Sequence, residues 1–352
     1  MIVSSSTGPA ERPLRSAVVT NIYPTPATPD LGTFVADRVA SLRAAGVLVD
    51  LLHLRRAVGG RRVYAELPQR ITRLVRSTKP DLVHVMYGGV MADIVTRTVR
   101  DVPVVVSFCG TDLLGGNGKG LIHNVARRYG VVASRRAAAR AAGVIVMSPN
   151  LFEALQPGLE RSRVWIVPDG VDLACFGPRD KVECRAALGW NPERRHVLFP
   201  ASPARPEKRF WLARAAVDLL RGDGVDVDLH VLAGVPHAEV ATWLNASDVL
   251  LLTSAHEGSP NVVKEALACD VSVVSVDVGD VRERIEGIDG CFVAEPTPEN
   301  IGAKVAQAVE REQPIAGRER VEEFALERLG AKLCDIYATV ASDRIDRNGG
   351  SP

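Results

Sequence analysis

Short apolar runs rich in valine recur along nearly the whole chain, with stretches of helical spacing between them. "RSAVVTNIYP" (15–24) opens with one and breaks at Pro24. "VLVDLLHL" (47–54), "DLVHVMY" (81–87), "VPVVVSF" (102–108) and "GVIVMS" (143–148) follow. After an interruption the series resumes with "HVLFPAS" (196–202), "VDLHVLAG" (227–234), "DVLLLTS" (248–254) and "VSVVSVD" (271–277). Runs that are apolar at successive positions suit strands covered on both faces, and such strands are parallel. Between them, "GTFVADRVASLRAAG" (32–46) places Phe34, Val35, Val39 and Leu42 at helical spacing and ends at Gly46. Strand–helix alternation of this kind predicts an α/β fold of doubly wound parallel sheets, with ligands beyond the carboxyl ends of the strands.

The interruption, "VWIVPDGVDLACFGP" (164–178), carries a Pro-Asp-Gly turn and reads as a domain boundary. The expected division is a first Rossmann-like domain over 1–165, with 1–14 a disordered lead-in, and a second over 166–325. A last helix over 326–342 is expected beyond them. The tail, 299–342, reads as two or three helices, and the closing "DRIDRNGGSP" as unstructured. Two facing α/β domains make the cleft between them the expected site.

The net charge of +1 conceals an asymmetry. Residues 1–165 hold 22 Lys/Arg against 11 Asp/Glu, and residues 166–352 hold 21 against 31. The basic half reads either as solvated helix faces or as a surface for anionic lipid or a phosphorylated substrate. Aromatic residues make up 5% and do not interleave with the arginines, which argues against nucleic acid. The six cysteines form no C-x-x-C pair and read as reduced thiols of a cytoplasmic protein. No apolar run approaches the roughly 20 residues of a membrane span.

The densest chemistry lies in "TSAHEGSPNVVKEALACD" (253–270). Ser259 and Pro260 read as a helix start, a capping hydroxyl followed by proline at the first helical position. Val262, Val263, Ala266 and Leu267 then form an apolar stripe, with Glu265 beside it on the side of Asn261. Glu257 and Gly258 precede the helix, where free N–H groups and the positive end of the dipole suit an anion. A diphosphate held there would leave its sugar and its ribose beside the two carboxylates, which accept well from paired hydroxyls. The spacing also fits a plain helix cap and a solvated glutamate.

The wider sequence resembles the GT4 family of retaining glycosyltransferases, and the motifs stand in the family's order. "SAHEGSPNVVKEALACDVSVVSVDVGDVRERI" is similar to the family's E-x7-E segment, in a variant closest to members that build cell-surface polysaccharides. "IVPDGVD" (166–172) resembles its inter-domain segment, "PARPEKR" (203–209) its phosphate loop, "SFCGTDL" (107–113) its acceptor-side loop and "YPTPATPDLGTF" (23–34) its N-terminal loop. The resemblance implies the GT-B fold, two Rossmann-like domains across a cleft. It implies a nucleotide-diphosphate sugar as donor and a glycan, glycolipid or small molecule as acceptor. Glu257 would contact sugar hydroxyls, Glu265 the ribose and Lys208 the diphosphate, with Arg205 a second cation. Gly258, Ser259, Pro260, Asn261 and Val262 would line the donor's helix mouth. Gly32, Thr33, Gly110 and Thr111 would lie on the acceptor side. No metal or other cofactor is expected, and no protein nucleophile: the donor's own phosphate would take the acceptor's proton.

Some positions depart from the family. Ser202 and Pro203 replace its Gly-Arg pair, and Cys109 stands where many members have histidine. Cys109 cannot act as an imidazole, so Asp112 is the expected acceptor contact. The departures also leave open a degenerate nucleotide-sugar-binding protein, and the architecture a sugar-nucleotide epimerase. The expected location is the cytoplasm, with the basic first domain against the inner face of the membrane.

Overall fold

A computed structural model describes residues 12–349 without 30, 61, 116–120, 156, 157 and 312, and only the backbone at 57, 121–124 and 343–349. Among the described residues, eleven strands build two parallel sheets. The first sheet holds β1 (Arg15–Thr20), β2 (Leu48–His53), β3 (Leu82–Met86), β4 (Val104–Phe108), β5 (Gly143–Val146) and β6 (Val164–Ile166), in the order β2-β1-β3-β4-β5-β6. The second holds β7 (Arg195–Phe199), β8 (Val227–Val231), β9 (Val249–Leu252), β10 (Ser272–Val276) and β11 (Phe292–Ala294), in the order β11-β10-β9-β7-β8. The valine runs are the central strands: β3, β4, β5, β9 and β10 are buried at every residue. Edge strand β2 is covered only in part, because one side has no neighbour.

Each sheet has its own apolar core. Burial of a leucine or valine side chain contributes about 1.5–3 kcal/mol, so each core is substantial. Leu329, Leu333, Ile336, Tyr337 and Val340 of the last helix, Leu326–Gly349, join the first core rather than the second. His84 of β3 fixes that helix in place. Its Nδ1 lies 2.6 Å from the Tyr337 hydroxyl and its Nε2 lies 2.7 Å from Ser107 Oγ. Complete burial lowers the pKa of His84 to about 3, so the ring is neutral.

Two expectations about the ends meet the structure differently. Most of the lead-in falls on residues 1–11, outside the described residues, but Arg12 is placed by an ion pair with Asp81. The last helix runs to Gly349 through residues read as unstructured, while 350–352 lie outside the described residues. Strand β11 and the short helices Lys181–Leu188 and Val281–Ile285 are additions. Strand β11, of three residues, and Val281–Ile285, of five, are too short for their periodicity to register.

Candidate functional site

Beyond the carboxyl end of β9 the chain turns and enters the helix Asn261–Ala268. The helix begins one residue later than the sequence suggests. Pro260 is its N-cap at ψ 115°, and no side chain caps it. Ser259 instead places its hydroxyl 3.3 Å from Lys264 Nζ. The Val263 N–H donates to the Pro260 carbonyl at 3.1 Å, while the N–H groups of Asn261 and Val262 keep no intrahelical partner. Asn261 Oδ1 is buried there without a hydrogen-bond partner in the structure.

Gly258 shows how closely the domains meet. A Cβ on it would lie 2.8 Å from the carbonyl oxygen of Cys109, in the loop after β4 of the other domain. Gly110 of that loop approaches the Gly258 nitrogen, and Gly279 (φ 62°) packs against the Gly258 carbonyl. Backbone meets backbone on both sides. Gly258→Ala should push the loops apart and destabilise the closed arrangement by about 1–3 kcal/mol. Thermal unfolding beside the wild type checks this; an unchanged midpoint would show that the contact yields freely.

The loop 203–209 is stapled to the end of β9. Arg209, at φ 51°, donates from Nε to the Thr253 carbonyl at 2.6 Å and from Nη2 to the Ser254 carbonyl at 3.0 Å. Thr253 Oγ1 donates to the Lys208 carbonyl at 2.9 Å. This anchoring turns Lys208 toward Glu257, and its Nζ pairs with Glu257 Oε1. Both side chains are about 14% exposed, so the pair is sheltered yet open to a ligand. Arg205 pairs with Glu207 at 2.8 Å on the rim. Lys208, Glu257, Arg205, Gly258, Gly110 and Thr111 share a cavity of about 170 Å³ between the domains, with Cys109, Phe34 and His256 also on its wall. Ser259 and Pro260, in the turn before the helix, and Asn261 and Val262, in its first turn, do not line it. Gly32 and Thr33 also lie off that wall. Gly32 (φ 77°) starts the helix Thr33–Ala44 where a Cβ would strike the Ile22 carbonyl carbon at 2.7 Å.

Glu265 stands apart from Glu257's cavity. His237 Nε2 meets its Oε1 at 3.0 Å, and that hydrogen bond is the main reason the His237 pKa is raised. Asp37, from the first domain, feels both of these charges, and burial pushes its pKa up to about 6. Nothing in the sequence spacing ties His237 to a residue 28 positions on.

Asp112 needs a correction. It was expected to contact the acceptor, but the residue is 6% exposed and its carboxylate is turned inward. Oδ1 accepts from the N–H of Gly110 at 2.8 Å and of Cys109 at 3.0 Å, and Oδ2 from Gly88 at 2.8 Å. Burial pushes its pKa up, opposed by these bonds. Asp112 shapes the loop that faces Gly258, rather than reaching out of it.

The Pro-Asp-Gly turn joins the domains chemically. Asp169 Oδ1 meets Arg38 Nε at 2.5 Å, and the Asp169 carbonyl accepts from Lys264 Nζ at 2.6 Å. Arg38 and Lys264 are each 1% exposed, one from each domain. Burial lowers the Lys264 pKa to about 8 from an ordinary 10.5. With the folded value below the unfolded one, the stability tied to this group is full above pH 10.5 and is lost as pH falls through about 8. The wild type should therefore gain stability relative to Lys264→Met between pH 7.5 and 9.5, as read by denaturant unfolding. An equal difference at both values would contradict the assignment.

Among the described residues, one group could hold a metal: His196, Asp228 and His230, whose ligand atoms lie within 4.8 Å of one another. It lies on β7 and the edge strand β8 and contributes nothing to the wall around Lys208 and Glu257. The two rings already hydrogen-bond at 2.8 Å, and Trp190 stacks on His230 at 3.5 Å.

Comparison with known proteins matches each sheet to a family model. Residues 24–175 match Glycosyltransferase Family 4, and residues 200–311 match Glycosyl transferases group 1. The chain is 30% identical over 255 residues to the protein named for teichuronic acid biosynthesis glycosyltransferase TuaC of Bacillus subtilis, covering 64% of this chain and 62% of that one. It is 26% identical over 224 residues to the D-inositol 3-phosphate glycosyltransferase of Thermobispora bispora, covering 53% and 52%. The matched stretches thus span less than two thirds of either relative. In fold, the chain is similar to sucrose-phosphate synthase of Thermosynechococcus elongatus, with TM-score 0.75 at 15% identity over 94% of this chain and 100% of that one. It is also similar to Anabaena HepE in complex with UDP, with TM-score 0.66 at 16% identity over 93% and 100%. The chain thus carries a Glycosyltransferase Family 4 match over most of its first sheet and a Glycosyl transferases group 1 match over most of its second, in a two-sheet fold similar to that of sucrose-phosphate synthase.

Proposed function

We propose that this chain is a retaining glycosyltransferase that moves a sugar from a nucleoside diphosphate donor to a glycan, glycolipid or small-molecule acceptor. The observation that carries the reading is the Lys208–Glu257 pair, held at a helix mouth and facing the loop Cys109–Thr111 across the cavity between the domains. Each charge of the pair satisfies the other. A diphosphate is a stronger partner for Lys208, so donor entry releases Glu257 to accept from sugar hydroxyls. As the glycosidic bond breaks, negative charge grows on the leaving diphosphate. Lys208, Arg205 and the unpaired N–H groups of the helix mouth oppose that charge, and no metal is called for. Glu265, oriented by His237, takes the ribose. Glu257 positions the sugar and does not attack it. The donor's phosphate accepts the acceptor's proton on the same face.

A polysaccharide or lipid-linked acceptor is supported by the similarity to TuaC, whose name places it in teichuronic acid biosynthesis. Contact with the inner face of a membrane is supported by the arginine-rich first domain and by the exposed Val58, Val125, Tyr129 and Val132 on it. No described helix is long and apolar enough to cross a membrane.

A thermal-shift series with UDP-, GDP-, ADP- and TDP-sugars, with and without EDTA, tests the donor site. A ligand that binds only the folded chain raises its midpoint. One nucleotide sugar should do so equally in both conditions. Loss of the shift in EDTA would overturn the metal-free part. Conversion of the bound sugar nucleotide to another sugar nucleotide, with no transfer, would point to an epimerase.

A further inference from the structure

A second, larger cavity of about 990 Å³ opens in the first domain and shares Tyr87, Thr111, Gly115 and Arg127 with the wall of the Lys208–Glu257 cavity. Its other wall residues include Arg56, Tyr64, Tyr129 and Asn21. The chemistry of this groove is uneven. Among the described residues three tyrosines face it, and its one carboxylate, Asp112, is turned away into backbone N–H groups. Among the described residues neither Arg56 nor Arg127 forms an ion pair. Arg56 lies over the Tyr64 ring at 5.7 Å, and among the described residues Arg127 donates to the Gly115 carbonyl at 3.0 Å. Both guanidinium groups keep donors to spare.

Tyr87 adds an independent sign. Its φ is 100°, a conformation that a bulky side chain adopts at a cost and that persists where the surroundings enforce it. The neighbouring Gly88 explains part of the enforcement, since a Cβ there would strike the Phe108 ring at 2.7 Å. The Tyr87 hydroxyl meets Thr111 Oγ1 at 2.8 Å, which holds the ring at the junction of the two cavities. Asn21 donates to the Tyr64 hydroxyl at 3.2 Å while its own Oδ1 is buried without a partner.

We infer that this groove binds an anionic carbohydrate as acceptor: a sugar ring rests on the tyrosines, and a phosphate or carboxylate on it is held by Arg56 and Arg127. The inference rests on the transferase reading and names the acceptor's chemical class. Aromatic faces suit the apolar face of a sugar ring, and a guanidinium fork suits either anion. Arg56 lines the groove and not the Lys208–Glu257 cavity, so an anion held between it and Arg127 leaves the reacting hydroxyl at the shared wall, toward the donor.

Three probes separate the possibilities: p-nitrophenyl β-D-glucopyranoside, the corresponding glucuronide and the 6-phosphate of the same glucoside. They share ring and aglycone and differ at C6 as alcohol, carboxylate or phosphate. Binding is measured calorimetrically to the full chain at 150 mM salt, with the nucleoside diphosphate that the chain prefers present at saturation. At least one anionic probe should bind about 10-fold or more tightly than the alcohol. The better of the two identifies the anion. Arg56→Gln and Arg127→Gln should each reduce that preference several-fold, and Arg56→Lys should restore part of it, which a purely structural role for Arg56 would not produce. A neutral probe that binds as well as both anions, a preference that survives in the double variant, or no binding of any probe at 10 mM would overturn the inference. Nucleotide affinity is read in the same titrations. A chain that binds nucleotide but favours the neutral probe loses only this inference, whereas a chain that binds no nucleotide loses the reading beneath it.

Discussion

Lys208→Met is expected to lower turnover by about 10²–10³-fold, the effect of removing one fixed group that opposes developing charge. Two causes act together. The leaving diphosphate loses its sheltered cation, and Glu257, which pairs with Lys208, is left as an unpartnered carboxylate beside an incoming dianion. The second cause makes a specific demand on a double variant. Glu257→Gln alone should also lower turnover strongly, since it weakens the grip on the sugar, and should leave no trapped glycosyl-enzyme. Lys208→Met with Glu257→Gln should be less impaired than the product of the two single effects, because the repulsion is gone. Steady-state kinetics of the four proteins, with mass spectrometry of Glu257→Gln under turnover, decide this. Strict additivity would mean that the pair is incidental, and a covalent sugar adduct would replace the proposed mechanism with a double displacement.

Asp169→Ala should be the most destabilising substitution considered, by about 3–5 kcal/mol, because it strips a buried arginine of its partner. Arg38 is 1% exposed, and its remaining bonds go to the Val167 carbonyl at 2.8 Å and to Met147 Sδ. Neither is an anion. Removing both charges, as in Arg38→Met with Asp169→Ala, should recover much of the loss, since a buried pair contributes less than the cost of breaking it. Denaturant unfolding of the single and double variants measures the recovery. If Asp169→Ala proves as stable as the wild type, the guanidinium has found water, and the turn is not the tie between the domains that its geometry suggests.

The sheets were legible because parallel strands covered on both faces leave uninterrupted apolar runs, and the central strands coincide with the valine-rich segments. The candidate site was legible as a set of motifs in order, but not as a set of bonds. Asp112 looked available because a carboxylate near a loop glycine gives no sign of which backbone N–H groups will turn toward it. Arg38 and Lys264 looked like ordinary helix-face cations. They are buried because their partner, Asp169, arrives from 131 residues away in one case and 95 in the other, a distance no periodicity can register. The shift of the helix start from Ser259 to Pro260 follows from the extended ψ of the proline, which a capping pattern does not specify.

The most direct test is a proton NMR time course of the purified chain with its preferred nucleotide sugar and no acceptor, in which water takes the acceptor's place. The spectrum reads the nucleotide, the released sugar and the configuration of its anomeric carbon before mutarotation. The account predicts nucleoside diphosphate together with first-formed sugar of the same anomeric configuration as the donor, at a rate cut sharply by Lys208→Met. The opposite anomer appearing first, or a rate indifferent to Lys208, would contradict it.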